Sequence, residues 1–174
     1  MYFSEIDLSG IDLSNKDLTS AILPEVIFRG ANLQNVSFNY SNLASCDFFM
    51  ANLENAQLVK AIADYADFEN ARMQNSNLFR TTFIESNLTN ADLTRANLEK
   101  ALFSEANLEN AILINVNITN ASISKCRVKG INLQGALGIE SIQADWIDIG
   151  KKGDPKRLVG KDVLNWLVEN AYRL

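Results

Sequence analysis

A five-residue period runs through most of the chain and constrains its fold more than any other feature. Stepping by five from Phe3 to Leu133 gives 27 positions, of which 26 carry Leu, Phe, Ile, Met or Val and only Ala63 is small. Two residues before each of them, 19 of 27 positions carry Ala, Ser, Cys or Thr. A period of five matches neither the 3.6 residues of a helical turn nor the alternation of a strand. The pattern therefore predicts a repeat architecture with one large and one small inward side chain in each quintet.

The last position of each quintet indicates where the backbone turns. It is Gly or Asn in 13 of 27 quintets, among them Gly10, Asn15 and Asn90. Both residue types tolerate the positive φ of a tight turn. Each quintet is therefore predicted to be a short extended piece followed by a turn, so that the chain winds around its own core.

Quintets such as Ala91-Asp92-Leu93-Thr94-Arg95 and Ala106-Asn107-Leu108-Glu109-Asn110 resemble the A(D/N)LXX signature of the pentapeptide-repeat family. The resemblance covers residues 1–135. It implies an all-β fold, a right-handed quadrilateral β-helix in which four quintets make a coil and residue n stacks on residue n+20. On that geometry the 27 quintets make about seven coils, and the rod is roughly 30 Å long at the ~4.8 Å strand spacing.

Stacking at this interval makes like side chains neighbours. Phe28, Phe48 and Phe68 are expected to form one internal column of rings, each pair adding ~0.5–1.5 kcal/mol beyond area burial. Outward amides are expected to form a hydrogen-bonded ladder, as in other stacked β structures; its members are Asn77, Asn97 and Asn117.

The chain offers few groups for catalysis or metal binding. It has no histidine, and its two cysteines, Cys46 and Cys126, fall in one column four coils apart, ~19 Å at the strand spacing. A disulfide needs Cα atoms within about 7 Å, so both thiols are predicted to be free packing residues. Asp7, Asp12 and Asp17 lie on three successive sides of one coil and diverge. No metal, cofactor or enzymatic activity is therefore expected; Asp47 and Asp67 are the kind of paired carboxylates that the stacking allows, but no pocket is implied.

The repeat pattern ends after Gly135, and the remaining residues form a second unit. Residues 136–174 contain both tryptophans, and apolar residues at helical spacing predict a helix near residues 161–172. Those residues are Val163, Leu164, Leu167, Val168 and Ala171. The stretch from Trp146 to Gly150 resembles tails of cyanobacterial members of the family. This tail is predicted to cap the last coil; a helix that pairs two copies of the chain is the alternative.

Charge is concentrated on one side of the predicted rod. The tail from residue 138 has six acids and six bases, so the rod, with 15 acids and 10 bases, holds the whole net charge of −5. Ten of those acids fall on one side and its edge when the chain is wound at 20 residues per coil: Glu5, Asp7, Glu25, Asp47, Asp64, Asp67, Glu69, Glu85, Glu105 and Glu109. Only Arg29 offsets them before residue 120, whereas another corner stacks Lys60, Arg80 and Lys100. Such a field can steer a basic partner; solvation of the rod is the plainer interpretation.

Outward apolar residues are the second candidate for contact with a partner. Val59 and Phe79 are predicted to stack beside the basic corner, and Phe49 lies with Met50 at another corner. Together with Asp47, Asp67, Glu85 and Glu105 they form the predicted partner-binding surface. Small apolar patches mark some binding sites, although scattered ones are normal.

These features favour a non-catalytic interaction or scaffold protein with an unidentified protein partner. The acidic balance argues against direct nucleic-acid binding, and no apolar run is long enough to span a bilayer. A cytoplasmic monomer or homodimer is expected. The resemblance implies one alternative: some members of the family mimic DNA and modulate a type II topoisomerase such as gyrase. Those members tend to dimerise through an apolar C-terminal helix, and some use loops between coils, which this repeat lacks.

Overall fold

The fold is a solenoid, and the computed structural model describes it over residues 6–151 and 153–172. Parallel bridges join residue n to residue n+20 without interruption, from Asp7–Ile27 to Asn117–Leu137. Each coil thus contains 20 residues, or four quintets, and the bridged positions form four parallel ladders along the rod. The first large side chain of the frame, Phe3, and the acid Glu5 lie outside the described residues.

Backbone hydrogen bonds explain how a repeat unit of only five residues can build a regular solenoid. The Phe48 amide donates to the Asp67 carbonyl at 2.7 Å, and the Asp47 amide donates to the Val26 carbonyl at 3.0 Å, so each short extended piece bonds to the coils on both sides. The Ala51 amide then donates to the Phe48 carbonyl at 2.9 Å and closes the turn. Every fifth residue from Gly10 to Gly135 has a positive φ. The predicted turn position is therefore confirmed.

Large and small side chains fill the interior as the period predicts. Phe28, Phe48 and Phe68 stack with ring centroids 5.1 and 4.8 Å apart and nearly parallel planes. A second stacked pair, Phe83 and Phe103, lies 5.0 Å apart, and Phe83 meets the Phe68 ring edge-on at 5.5 Å. All five rings are fully buried. The predicted aromatic column is confirmed.

Outward amides link the coils from the outside. The Asn97 side chain donates to Asn77 Oδ1 at 3.2 Å, and the Asn117 side chain donates to Asn97 Oδ1 at 3.4 Å. Each Oδ1 also accepts a backbone amide two residues on; that of Asn97 accepts from Glu99 at 3.2 Å. This local bond is why Asn and Asp are suited to the position: the side chain satisfies a turn amide that has no other partner.

The coil does not end at residue 135, where the repeat pattern stops. Ser122 bridges to Gln143, and strand β1 (Cys126–Arg127) pairs in parallel with β2 (Trp146–Asp148), in the register Cys126 to Ile147. The interval has grown from 20 to 21 residues, because a short 3-10 turn, Ile139–Ser141, takes up one extra residue. One further coil is thus built without the five-residue pattern.

The tail closes over that coil. Strand β3 (Arg157–Val159) pairs antiparallel with β2, and helix α1 (Lys161–Ala171) follows it. Val163, Leu167 and Ala171 are buried, and the Gly135 amide donates to the Ala171 carbonyl at 3.1 Å. The rest of the predicted stripe differs: Leu164 is 39% exposed and Val168 is half-buried.

Both cysteines are free and buried, as predicted. The Cys46 thiol donates to the Leu23 carbonyl at 2.9 Å, and the Cys126 thiol donates to the Phe103 carbonyl. Burial raises the pKa of each thiol to about 12, above the ordinary value of 9.0.

This pKa shift predicts an alkaline loss of stability. Above pH about 9 the unfolded chain releases thiol protons that the folded chain retains, so the free energy of unfolding falls as pH rises toward about 12. Between pH about 8 and 11 the melting temperature of the wild type should fall further than that of Cys46→Ser/Cys126→Ser, measured by circular dichroism. Serine keeps a hydroxyl donor for the same carbonyl. Parallel declines in the two proteins would contradict the assignment.

Candidate interaction surface

The seven residues of the predicted surface lie in two separate groups. Asp47 and Asp67 are bridged neighbours on one ladder, with Phe49 beside Asp47, and Glu85 and Glu105 occupy the adjacent corner. Val59 and Phe79 are turn residues two positions after Gln57 and Asn77 of another ladder, next to the basic corner. A whole ladder, running from Ile22 to Ser122, separates the two groups. The structure therefore brings the acidic residues together and leaves most of the apolar ones apart from them.

Turn geometry positions the aspartates of the first group. Asp47 Oδ1 accepts the Phe49 amide at 3.0 Å, and Asp67 Oδ1 accepts the Glu69 amide at 2.9 Å. Asp47 Oδ2 also accepts a hydrogen bond from Arg29 Nε, which raises the pKa of that guanidinium. The Arg29 guanidinium lies 5.6 Å from the centre of the Phe49 ring. Arg29 thus forms an ion pair with Asp47 and covers the Phe49 ring.

Acids in the middle of the rod lack such partners. Among the described residues no Lys or Arg lies within ion-pair distance of Asp64, Asp67, Glu69 or Glu85, which we call the central acidic cluster. The Asn87 side chain donates through Nδ2 to Asp67 Oδ1 at 3.0 Å and to Glu69 Oε2 at 3.3 Å. These bonds orient the two carboxylates without neutralising them, so the cluster keeps its charge facing solvent.

The C-terminal end of the acidic side is neutralised. Lys125 pairs with Glu105 at 2.9 Å. Arg127 Nε and Lys129 Nζ lie 2.8 and 3.3 Å from the carboxylate oxygens of Glu109. The hydrogen bond from Arg127 is the largest of the effects that lower the pKa of Glu109. The unpaired negative field is therefore confined to the middle of the side and its N-terminal part.

The apolar residues of the predicted surface are less exposed than expected. Phe49, Val59 and Phe79 are half-buried. The Phe79 ring is covered by cations, with the Arg80 guanidinium 5.3 Å and the Lys100 ammonium 5.6 Å from its centre. Long cationic side chains cover apolar surface readily, because their stems pack while their charges stay in water. The expectation of an exposed apolar patch at these residues was wrong in this respect.

Another set of apolar side chains is exposed that was not among the residues predicted from the sequence. Ile22, Ile62 and Leu102 are 78, 45 and 40% exposed and lie on one ladder. The signal was present in the sequence, since stepping by 20 from Ile22 reaches Ile62 and Leu102 at the outward position of their quintets. A column of exposed side chains can be recognised in the sequence only by comparing outward positions that are 20 residues apart.

The family model for pentapeptide repeats, in eight copies, matches residues 2–39, 27–62, 41–78, 64–99 and 91–135. The chain belongs to the pentapeptide-repeat family. Its fold is accordingly a right-handed β-helix, and the 20-residue coil interval agrees with that assignment.

Several solved structures are similar to this chain. A trypsin-treated form of QnrB1, a plasmid-mediated fluoroquinolone resistance protein, superposes with a TM-score of 0.72 over 76% of this chain and 67% of its own, at 20% identity. HetL, from the cyanobacterium Nostoc and involved in heterocyst differentiation regulation, is 21% identical over 84% of this chain and 90% of its own, with a TM-score of 0.45. A protein of the Arabidopsis thaliana thylakoid lumen is 28% identical over 62% of this chain and 68% of its own, with a TM-score of 0.36. No curated protein matches the chain by sequence.

Residues 6–151 and 153–172 contain no helix long and apolar enough to cross a membrane. Within the same ranges, no three acids or cysteines cluster closely enough to hold a metal ion.

Proposed function

We propose that this chain is a non-catalytic interaction or scaffold protein that binds a basic protein surface through its central acidic cluster. The observation that supports the proposal is the contrast along the acidic side: within residues 6–151 and 153–172, Asp47, Glu105 and Glu109 have cationic partners, whereas Asp67 and Glu69 do not. Unpaired carboxylates held on a stiff ladder form a directional field that accelerates encounter with a cationic partner.

We also propose the detailed shape of the rod, the position of its cap and the cellular location of the protein. The coils form a quadrilateral rod of about seven turns, continued by the extra coil that ends near Asp148. We propose that the repeat unit, residues 1–135, is followed by a tail, residues 136–174, in which strand β3 and helix α1 form the cap. The protein works in the cytoplasm without cofactor or metal, and as a monomer or homodimer.

Neutralising two acids tests the binding surface. Asp67→Asn/Glu69→Gln removes two charges, and the asparagine amide keeps an oxygen that can accept the turn amide of residue 69, so the fold should be retained. Partners captured from native lysate by the wild type at low salt should be lost with this variant, and lost again from the wild type when salt is raised.

Asp92→Asn is the matched control, because Asp92 Oδ1 accepts the Thr94 amide at 2.9 Å in the same geometry on a different ladder. It should leave capture unchanged. Equal capture by the wild type and by Asp67→Asn/Glu69→Gln would refute the acidic cluster as the binding surface.

A DNA-mimicking modulator of a type II topoisomerase is the second candidate. The acidic rod favours it, and so does the fold shared with QnrB1, a fluoroquinolone resistance protein. The protein should then inhibit gyrase supercoiling, or protect it from a fluoroquinolone, and Asp67→Asn/Glu69→Gln should weaken the effect. Supercoiling unaffected by a large excess of the wild type would remove this candidate.

A further inference from the structure

One ladder of the rod is nearly free of charge and carries three exposed aliphatic side chains, Ile22, Ile62 and Leu102. We call it the apolar face: its outward column is Ile22, Asn42, Ile62, Thr82, Leu102 and Ser122, followed toward the turn by Pro24, Ala44, Asp64, Ile84 and Ser104. Asp64 is its one charged residue. Ile22 and Leu102 are four coil steps apart, ~19 Å along the rod.

Charged ridges of opposite sign border this face. The corner before it carries Lys60, Arg80 and Lys100, which we call the basic ridge, and the corner after it carries Glu25, Glu85 and Glu105, the acidic ridge. Both corners have the positive φ of the turn, between 55 and 62° at these six residues.

Each ridge stacks like charges at the interval of the coils. Arg80 stands between Lys60 and Lys100, and Glu85 stands one coil from Glu105, about 4.8 Å apart. Like charges that face each other across neighbouring strands are destabilising. Within the described residues, neither Arg80 nor Glu85 has an ion-pair partner, whereas Lys100 lies 3.2 Å from Glu99 and Glu105 lies 2.9 Å from Lys125. Each ridge is therefore a favourable site for opposite charge, most of all at its unpaired member, Arg80 in the basic ridge and Glu85 in the acidic ridge.

A second copy of the chain supplies such a row in one orientation. If two copies place their apolar faces together about a two-fold axis parallel to the rods, the basic ridge of each lies against the acidic ridge of the other. If the rods run antiparallel, basic ridge faces basic ridge and acidic ridge faces acidic ridge. Charge thus selects the parallel arrangement, which is an isologous interface.

The register along the rod agrees with this arrangement. The axis keeps both copies at the same height, and residues 80 and 85 end successive quintets, only a quarter of a coil apart, as do residues 100 and 105. Arg80 then lies opposite Glu85 of the second copy, and Lys100 lies opposite Glu105, each pair occurring twice. The aliphatic column from Ile62 to Leu102 is covered between them.

We propose that the apolar face is a self-association surface on which two copies of this chain bind side by side with parallel axes. This proposal shares Asp64 and Glu85 with the central acidic cluster, but its interface does not include Asp67 or Glu69, which lie on the neighbouring side of the rod. Asp67→Asn/Glu69→Gln should leave the dimer intact, so failure of one proposal is distinguishable from failure of the other.

Salt titration tests both the association and its orientation. Sedimentation or light scattering over a range of concentrations should show a monomer–dimer equilibrium. Its dissociation constant should rise at least about tenfold between low and high salt, because the ridges attract in the parallel arrangement. A chain that stays monomeric to about 1 mM, or a dimer that tightens with salt as repelling ridges require, would overturn the proposal.

Charge reversal tests the ridges themselves. Arg80→Glu/Lys100→Glu and Glu85→Arg/Glu105→Arg should each be monomeric, since each variant has two ridges of one sign. Mixed in equal amounts, they should form a heterodimer, which also shows that both variants are folded. Arg95→Glu is the matched control, because Arg95 has the same turn conformation, with φ of 60°, at a corner away from the apolar face. It should dimerise as the wild type does. Dimers that persist in either ridge variant, or a mixture that remains monomeric, would overturn the proposal.

Discussion

Replacing Leu93 by alanine is expected to lower the free energy of unfolding by about 2–5 kcal/mol, the range for a fully buried leucine whose cavity cannot collapse. Leu93 has no exposed surface. Its amide donates to the Ile112 carbonyl at 2.8 Å, so the backbone of the coil is tied to the next one and cannot close the gap. Urea unfolding followed by circular dichroism measures the change.

Leu137→Ala is the matched control for this prediction. Leu137 is also bridged into a ladder, to Asn117, yet it is 65% exposed. The same substitution there should cost under about 0.5 kcal/mol, as surface changes usually do. Similar losses at the two positions would show that the assignment of inward and outward residues is wrong.

Removing the tail after Gly153 is expected to convert the protein into an aggregating species. The truncation deletes strand β3 and helix α1, which cover the backbone edge of β2 and the core around Ile139 and Ile147. An uncovered strand edge is a template for pairing with other chains. Light scattering at matched concentration should therefore show large particles for the truncated chain only.

Two point variants separate packing of α1 on its own rod from an intermolecular role. Leu167→Asp places a charge at a side chain that is 1% exposed and should cause the same aggregation, whereas Leu164→Asp, at 39% exposure, should not. A truncated chain that is a soluble monomer, from a wild type that is a dimer, would instead identify α1 as the dimer interface.

The candidate surface was predictable only in part. The acids cluster as the coil interval predicts, because that interval is a property of the repeat. The pairing of Asp47 with Arg29 and the cover of Phe79 by Arg80 and Lys100 were not predictable, since they depend on side-chain conformations that no spacing encodes. The unpaired state of Asp67 and Glu69 emerges only when such neighbours are known.

The period by itself determined the inward frame and the turn positions, because every quintet repeats the same steric demand. The free thiols also needed the 20-residue coil, which the resemblance to the pentapeptide-repeat family implied. Only the tertiary structure decided how the rod ends. After Gly135 the side chains no longer repeat, yet the 3-10 turn Ile139–Ser141 absorbs one residue and lets β2 pair with β1. The open backbone edge of the preceding coil supplies the hydrogen-bond partners for that pairing. The last coil is templated by contact with the coil before it, and such contact leaves no period in the sequence.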